Sequence, residues 1–189
     1  MTYQFKIQLK NISKPTVWRR VEVPATFTFD ELHIAIQLVF NWDNSHLYMF
    51  NPKGYGSNPV ISIENEDDWE KPDMDALETV LSDIFKAEKQ TFVYIYDFGD
   101  DWTHSITLEK IVDKTIPYPI CLADKGACPP EDCGGPWGYE NLKVILTDPK
   151  HKEHKEMRKW YGLKKDQIFD PEAFDKDEAN EILKEVFDE

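Results

Sequence analysis

In Tyr3-Gln-Phe-Lys-Ile-Gln-Leu-Lys10, apolar Tyr3, Phe5, Ile7 and Leu9 alternate with polar Gln4, Lys6, Gln8 and Lys10. Successive side chains of a strand point to opposite faces, so this stretch reads as a strand with one face buried and one wet. After Asn11-Ile-Ser-Lys-Pro15, Val17, Arg19, Val21 and Val23 keep the period of two, and residues 16–23 are expected to return antiparallel as a hairpin. Thr28-Phe-Asp-Glu31 then has the capping-box spacing, with Phe27 and Leu32 at the staple positions. Leu32, Ala35, Ile36, Val39 and Phe40 follow at i, i+3, i+4, i+7 and i+8, an apolar stripe that would pack a helix onto the sheet.

Asn41-Trp-Asp-Asn-Ser45 ends that helix. His46-Leu-Tyr-Met-Phe50 and Val60-Ile-Ser-Ile63 read as short strands, the acidic run Glu64 to Glu78 as an exposed loop entering a helix near Met74, and Ala76 to Lys86 as a second helix. Thr91-Phe-Val-Tyr-Ile-Tyr-Asp97, rich in aromatic and β-branched residues, is a central strand, with Thr103 to Val112 as its partner. In the turn between them, Phe98-Gly-Asp-Asp-Trp102, Gly99 is expected to take a positive φ. Pro117 to Gly138 holds five prolines, four glycines and all three cysteines, a composition that argues against helix or strand and for an ordered loop. Tyr139 to Leu146 is a helix, and Asp148-Pro149 supplies an N-cap and N1 proline for another ending near Trp160-Tyr-Gly162. Asp175 and Glu178 cap a last helix whose apolar face is Ala179, Ile182, Leu183 and Val186. The order is that of a single α+β domain, residues 1–189, with a mainly antiparallel or mixed sheet, helices packed on it and a β-grasp-like ββα opening.

The 189 residues include 11 Phe, 8 Tyr and 6 Trp and are 41% hydrophobic, which excludes an intrinsically disordered chain. The formal charge of −14 argues against a general binder of nucleic acid or anionic membrane. No apolar run approaches the roughly 18 residues of a membrane span, and no signal-peptide core follows Met1, so a cytoplasmic location is expected. Three cysteines, an odd and small number, argue against a disulfide framework.

Asp97, Asp100 and Asp101 crowd one turn, where converging carboxylates would hold a hard cation or perturb one another. Their spacing is not that of a calcium loop, and aspartates in a glycine-containing turn commonly accept hydrogen bonds from their own backbone. Cys121, Cys128 and Cys133 lack the paired spacing of structural zinc sites. His151 and His154 would share one face of a helix among charged neighbours, whereas His46 and His104 lie near strand ends, where a neutral imidazole could ligate a metal or pack in the core. The hallmark sequences G-x-S-x-G, G-x-x-x-x-G-K-[ST] and H-E-x-x-H are absent.

Pro15-Thr-Val-Trp-Arg-Arg20, Asn41-Trp-Asp-Asn-Ser-His-Leu47, Tyr96-Asp-Phe-Gly-Asp-Asp-Trp102, Ala127-Cys-Pro-Pro-Glu-Asp-Cys-Gly-Gly135 with Gly138-Tyr139, and Phe174-Asp175 with Asn180 together resemble the plasmid pRiA4b ORF-3-like family, over almost the whole chain. Many members carry a second histidine where this chain has Tyr48, which counts against a metal site built on that pair. The resemblance implies no defined activity. Some members are labelled resolvases, but recombinases surround the scissile phosphate with arginines, and this chain has only Arg19, Arg20 and Arg158. Recombinase activity is therefore not expected.

Two functions fit. One is a non-catalytic binding module whose face comprises His46, Asp97, Asp100, Asp101, Trp102, Glu131, Asp132, Trp137 and Tyr139, the aromatics making contact and the acids selecting a protein or small cationic ligand. The other is a divalent-metal-dependent hydrolase or nuclease-like enzyme built on the Asp97/Asp100/Asp101 cluster with Glu131, Asp132 and His46. A nucleic-acid contact would run through Arg19 and Arg20, and no membrane partner is expected.

Overall fold

The computed structural model describes residues 1–64 and 71–188. Alternation forms the opening strand as expected: Tyr3, Phe5, Ile7 and Leu9 of β1 (Thr2–Leu9) are all buried, and β1 pairs antiparallel with β2 (Trp18–Pro24), setting Phe5 opposite Val21 and Ile7 opposite Arg19. Helix α1 (Phe29–Phe40) begins at a complete capping box, in which the Thr28 hydroxyl accepts from the Glu31 amide and the Glu31 carboxylate accepts from the Thr28 amide. It ends where Asn41 turns left-handed at φ 54°. Its apolar stripe, including Phe29, Leu32, Ile36 and Phe40, is fully buried.

Six further strands follow: β3 (Tyr48–Asn51), β4 (Ile61–Ser62), β5 (Met74–Asp75), β6 (Thr91–Tyr96), β7 (Trp102–Val112) and β8 (Ile120–Lys125). They complete an eight-stranded sheet of order β5-β4-β3-β6-β7-β1-β2-β8, antiparallel throughout except for the parallel pair β4–β5. The remaining helices of the described residues are the single turn α2 (Leu81–Ile84), α3 (Gly135–Thr147), α4 (His154–Trp160) and α5 (Lys176–Phe187). This is a single α+β domain with a mixed, mostly antiparallel sheet. Edge-on aromatic pairs, such as Phe5 with Phe85 at 4.8 Å and Phe29 with Phe50 at 5.1 Å, knit α1 and the 81–85 turn to the sheet.

Several local expectations are corrected. Met74 lies in a strand, because its amide and that of Ala76 bond to Val60 and Ser62, and helix formation is confined to one turn at 81–84. The acidic stretch 65–70 lies outside the described residues. The Pro/Gly-rich segment does carry a strand: β8 forms at the sheet edge, where one row of backbone groups needs no strand partner. That free row is met by α5, whose Asn180 side chain accepts from the Cys121 amide at 2.7 Å and donates to its carbonyl at 3.0 Å. Asp148 closes α3 instead of opening the next helix, which starts only at His154. In the 97–101 turn the positive φ values belong to Asp97 and Asp101, not to Gly99.

The arginine pair is structural. Arg19 is fully buried, its guanidinium donating to the carbonyls of Val39, Trp18 and Lys125 and lying 3.8 Å from the Phe174 ring centroid. Arg20 is held by both carboxylate oxygens of Glu109 at 2.6 and 3.0 Å. His104 is equally enclosed, among the rings of Phe40, Trp42 and Tyr94, and burial drives its pKa down to about 3.

The folded chain therefore keeps His104 neutral, while the unfolded chain protonates it near its ordinary value. Stability from this group is complete above about pH 6.5 and is lost as the pH falls toward 3. Urea denaturation at pH 7 and pH 4.5 should show wild type losing roughly 2 to 3 kcal/mol more than His104→Leu over that interval. Parallel losses in the two proteins would show that His104 is not the group being titrated.

Candidate functional site

The site grows from the C-terminal end of β6. There the Tyr96 hydroxyl accepts from the Ser45 amide at 2.9 Å and donates to the Glu131 carboxylate, whose other oxygen accepts from the Asp43 amide at 2.8 Å. One phenol thus ties three segments together: β6, the 43–47 loop that follows α1, and the 127–134 loop that precedes α3. Trp42 stacks on the Tyr96 ring at 5.2 Å and donates to the Pro129 carbonyl, closing the same junction from inside. Glu131 is therefore a fully bonded strut, not a free acid.

The junction sets His46, Asp97 and Asp132 face to face. His46 Nε2 is 3.8 Å from Asp97 Oδ2 and 3.4 Å from Asp132 Oδ1, and the three donor atoms all lie within 4.8 Å of one another. Asp97 is positioned by its left-handed backbone and by its Oδ1, which accepts from the Gly99 amide at 2.9 Å and leaves Oδ2 for the site. Asp132 is also left-handed, with an exposed side chain. Among the described residues this is the only group of three metal-ligand types brought so close.

The other turn aspartates are used elsewhere. Asp100 Oδ2 accepts from the Gly134 amide at 3.1 Å, and Asp101 Oδ1 accepts from the Thr103 hydroxyl at 3.2 Å. Asp100 thereby ties the turn to the start of α3, a contact that demands glycine: a Cβ on Gly135 would stand 2.3 Å from the Asp100 carbonyl oxygen, and one on Gly138 would stand 1.8 Å from that of Cys133. The expected cluster of 97, 100 and 101 is thus replaced by 46, 97 and 132. Two expected contact aromatics are also relocated. Trp102 is fully buried, and Tyr139 is buried with its hydroxyl donating to the Ala127 carbonyl at 3.0 Å, so of the three only Trp137 is exposed.

The remaining sequence candidates are engaged locally. His154 Nδ1 meets the Ile145 carbonyl at 2.8 Å, and His151 Nδ1 accepts from the Glu153 amide. The three cysteines are free thiols, and burial pushes Cys121 up to about 11 and Cys133 up to about 12, so both stay protonated at neutral pH.

A cavity of about 310 Å³ adjoins the site, lined by His46 together with Asp30, His33, Asn44, Tyr48 and Phe98. Sequence reading missed His33, although a histidine inside the apolar stripe of α1 was a visible signal. Its ring stacks on Tyr48 with centroids 3.7 Å apart. Its Nε2 contacts Asn44 Oδ1 at 2.7 Å and its Nδ1 contacts the Tyr94 hydroxyl at 2.8 Å, which also accepts from Gln37 Nε2. The acceptor Asn44 Oδ1 places the proton on Nε2, so Tyr94 donates to Nδ1. Burial holds this imidazole down to about 4, neutral at physiological pH. Tyr48 donates to Asp30 at 2.7 Å, leaving that carboxylate as a fixed anion in the cavity wall.

One imidazole nitrogen and two carboxylate oxygens suit a borderline or hard divalent ion such as zinc or manganese. Ligands about 2.1 Å from a tetrahedral ion stand about 3.4 Å from one another. His46 Nε2 and Asp132 Oδ1 are at that spacing, 3.4 Å, and Asp97 Oδ2, 3.8 Å from the imidazole, needs only a small approach. Tyr96→Phe should cost about 1 to 3 kcal/mol in urea, since it strips partners from the Ser45 amide and the Glu131 carboxylate together. A variant as stable as wild type would remove Tyr96 from its organising role.

The family model described as plasmid pRiA4b ORF-3-like protein matches residues 1–178. The uncharacterized protein y4hQ of Sinorhizobium fredii (strain NBRC 101917 / NGR234) is 38% identical over 165 residues, covering 84% of this chain and 80% of that protein. The crystal structure of a protein of unknown function, MM3350 from Methanosarcina mazei Go1, superposes with a TM-score of 0.78 at 38% identity, covering 93% of this chain and 96% of that one. With the family model spanning nearly its whole length, and these relatives sharing its sequence and fold, the chain belongs to the plasmid pRiA4b ORF-3-like family.

Proposed function

We propose that the protein is a cation-binding module. Its acidic face takes a divalent metal ion on His46, Asp97 and Asp132 and offers that ion to a ligand in the adjoining cavity. The observation that carries this reading is the convergence of one imidazole and two carboxylates from three loops distant in sequence, with Asp97 held by the Gly99 amide. Two carboxylates held close repel one another, and a cation between them relieves that repulsion. The fixed Asp30 carboxylate and the neutral His33 favour a ligand bearing a positive group at the far side of the cavity.

A second reading, the metal-dependent hydrolase, is favoured by one feature. His46 belongs to both the cluster and the cavity wall, so an ion bound there would turn an open coordination position toward a space of ligand size. Such an ion lowers the pKa of bound water and generates a nucleophile.

Thermal melts of chelator-treated protein titrated with zinc, manganese, magnesium and calcium test both. A saturable stabilisation is expected for one ion, about 2.7 kcal/mol at a hundredfold excess over Kd. It should be lost in Asp97→Asn and Asp132→Asn and kept in Asp100→Asn. Absence of any saturable shift would end the metal-centre reading. Metal-dependent turnover of bis(p-nitrophenyl) phosphate would replace the module by the hydrolase.

A further inference from the structure

The cavity beside the cluster has two polar ends. His46 lines it at one, next to the position where it converges with Asp97 and Asp132. Tyr48 follows His46 by two residues, and its side chain runs from β3 to Asp30, whose Oδ1 accepts from the phenol at 2.7 Å. The length of the tyrosine therefore separates Asp30 from the cation position. A carboxylate offers about four acceptor sites, so one phenol leaves Asp30 room for a further donor.

Asp75 adds a second carboxylate at that end. It stands opposite Ser62 in the β4–β5 pair, and Ser62 lines the cavity. The Asp30 amide donates to the Ala76 carbonyl at 3.0 Å, which brings residues 30 and 75 to the same corner. Burial, and after it Asp30 and Asp75, raise the Tyr48 phenol above its ordinary value, so it stays protonated and donating. Between the ends the wall is apolar, with Leu47, Val60, Ile63 and Phe98 beside the stacked rings of His33 and Tyr48. His33 is neutral at physiological pH, and none of the described residues lining the cavity is a lysine or arginine, so no protein cation there competes for Asp30.

A ligand that satisfies this cavity carries opposite charges at its two ends. An ion held by three protein donors keeps an open position for an anionic oxygen, whereas Asp30 and Asp75 call for a cation. A simple amine would leave the ion to water, and a simple acid would leave the aspartate corner unpaired. The volume, about 310 Å³, is that of a small-molecule site.

We propose that the cavity binds a linear zwitterion, with its ammonium on Asp30 beside Asp75, its carboxylate on the ion held by His46, Asp97 and Asp132, and an apolar chain against Leu47, Val60 and Phe98. ω-Amino acids are the simplest members of this class. The proposal rests on the cation-binding reading and adds to it the ligand's second charged end and the chain between.

Isothermal titration of the protein loaded with its stabilising ion tests it, using the series from 4-aminobutyrate to 8-aminooctanoate as probes. The separated ends of these molecules close no small chelate ring on free metal. At least one member is expected to bind about tenfold or more tightly than the alkylamine and the alkanoate of equal length, since each of these lacks one charged contact. Affinity should fall by a similar factor in Asp30→Asn, which keeps an acceptor for Tyr48, and in chelator-treated protein. The shift in melting temperature produced by the ion alone should persist in Asp30→Asn. Phe98→Ala, at an exposed position, should weaken binding of the longer members without lowering the melting temperature. An ion-dependent shift with no preference for the amino acids over both analogues overturns the zwitterion and leaves the metal centre standing. Equal binding with and without the ion overturns it too, and absence of any ion-dependent shift removes both readings together.

Discussion

The Tyr96 hydroxyl is the interaction on which the functional face depends. Loops are entropically expensive to fix, and three of them meet here without a disulfide. What holds them is a short polar chain, Ser45 amide to Tyr96 to Glu131 to Asp43 amide, anchored in a strand that the sheet makes rigid. Because the phenol both accepts and donates, no other residue type supplies the same pair of bonds from that rotamer. His46 and Asp132 are then placed one residue beyond the bonded Ser45 and Glu131, and Asp97 one residue beyond Tyr96 itself. The three candidate ligands inherit their positions from the anchor.

Beneath this junction a second polar chain stiffens the cavity wall. Gln37 donates to Tyr94, Tyr94 to His33 and His33 to Asn44, while the Asn44 amide returns to Gln37 Oε1 at 3.1 Å. A closed circuit of this kind leaves no buried polar group of its members unpaired, which is the condition under which polar groups specify a core instead of weakening it. It also fixes Asn44, and through Asn44 the loop that carries His46.

Much of the fold is written locally. The alternation of 3–10, the capping box at Thr28 and the aromatic run at 91–96 each state their element within a few residues, and the structure contains all three. What could not be read is long-range. Nothing in Pro117 to Gly138 announces that Ile120–Lys125 pairs with β2, because that strand is stabilised by its neighbours and by Asn180, not by its own propensity. The site followed the same division. His46, Asp97 and Asp132 were each visible as candidates, but the grouping by sequence favoured Asp97, Asp100 and Asp101, which are adjacent in the chain and diverge in space. Asp97 Oδ1 is taken by the Gly99 amide and Asp101 Oδ1 by the Thr103 hydroxyl, and the glycine at 135 lets the start of α3 take Asp100 for itself. Exposure was hardest to foresee, since Trp102 and Trp137 look equivalent until the packing of β7 and α3 separates them.

The amide of Asn180 imitates a strand. By accepting from one amide and donating to one carbonyl of the same residue, it presents to β8 what a ninth strand would present, while α5 occupies the space in which such a strand would lie. At the opposite margin, β5 is two residues long and offers almost no template. The sheet is thus terminated at both ends by construction, so neither margin can nucleate the edge-to-edge polymerisation that threatens an open eight-stranded array. Loss of the last helix would uncover the six-residue edge of β8 as a template for edge-to-edge pairing.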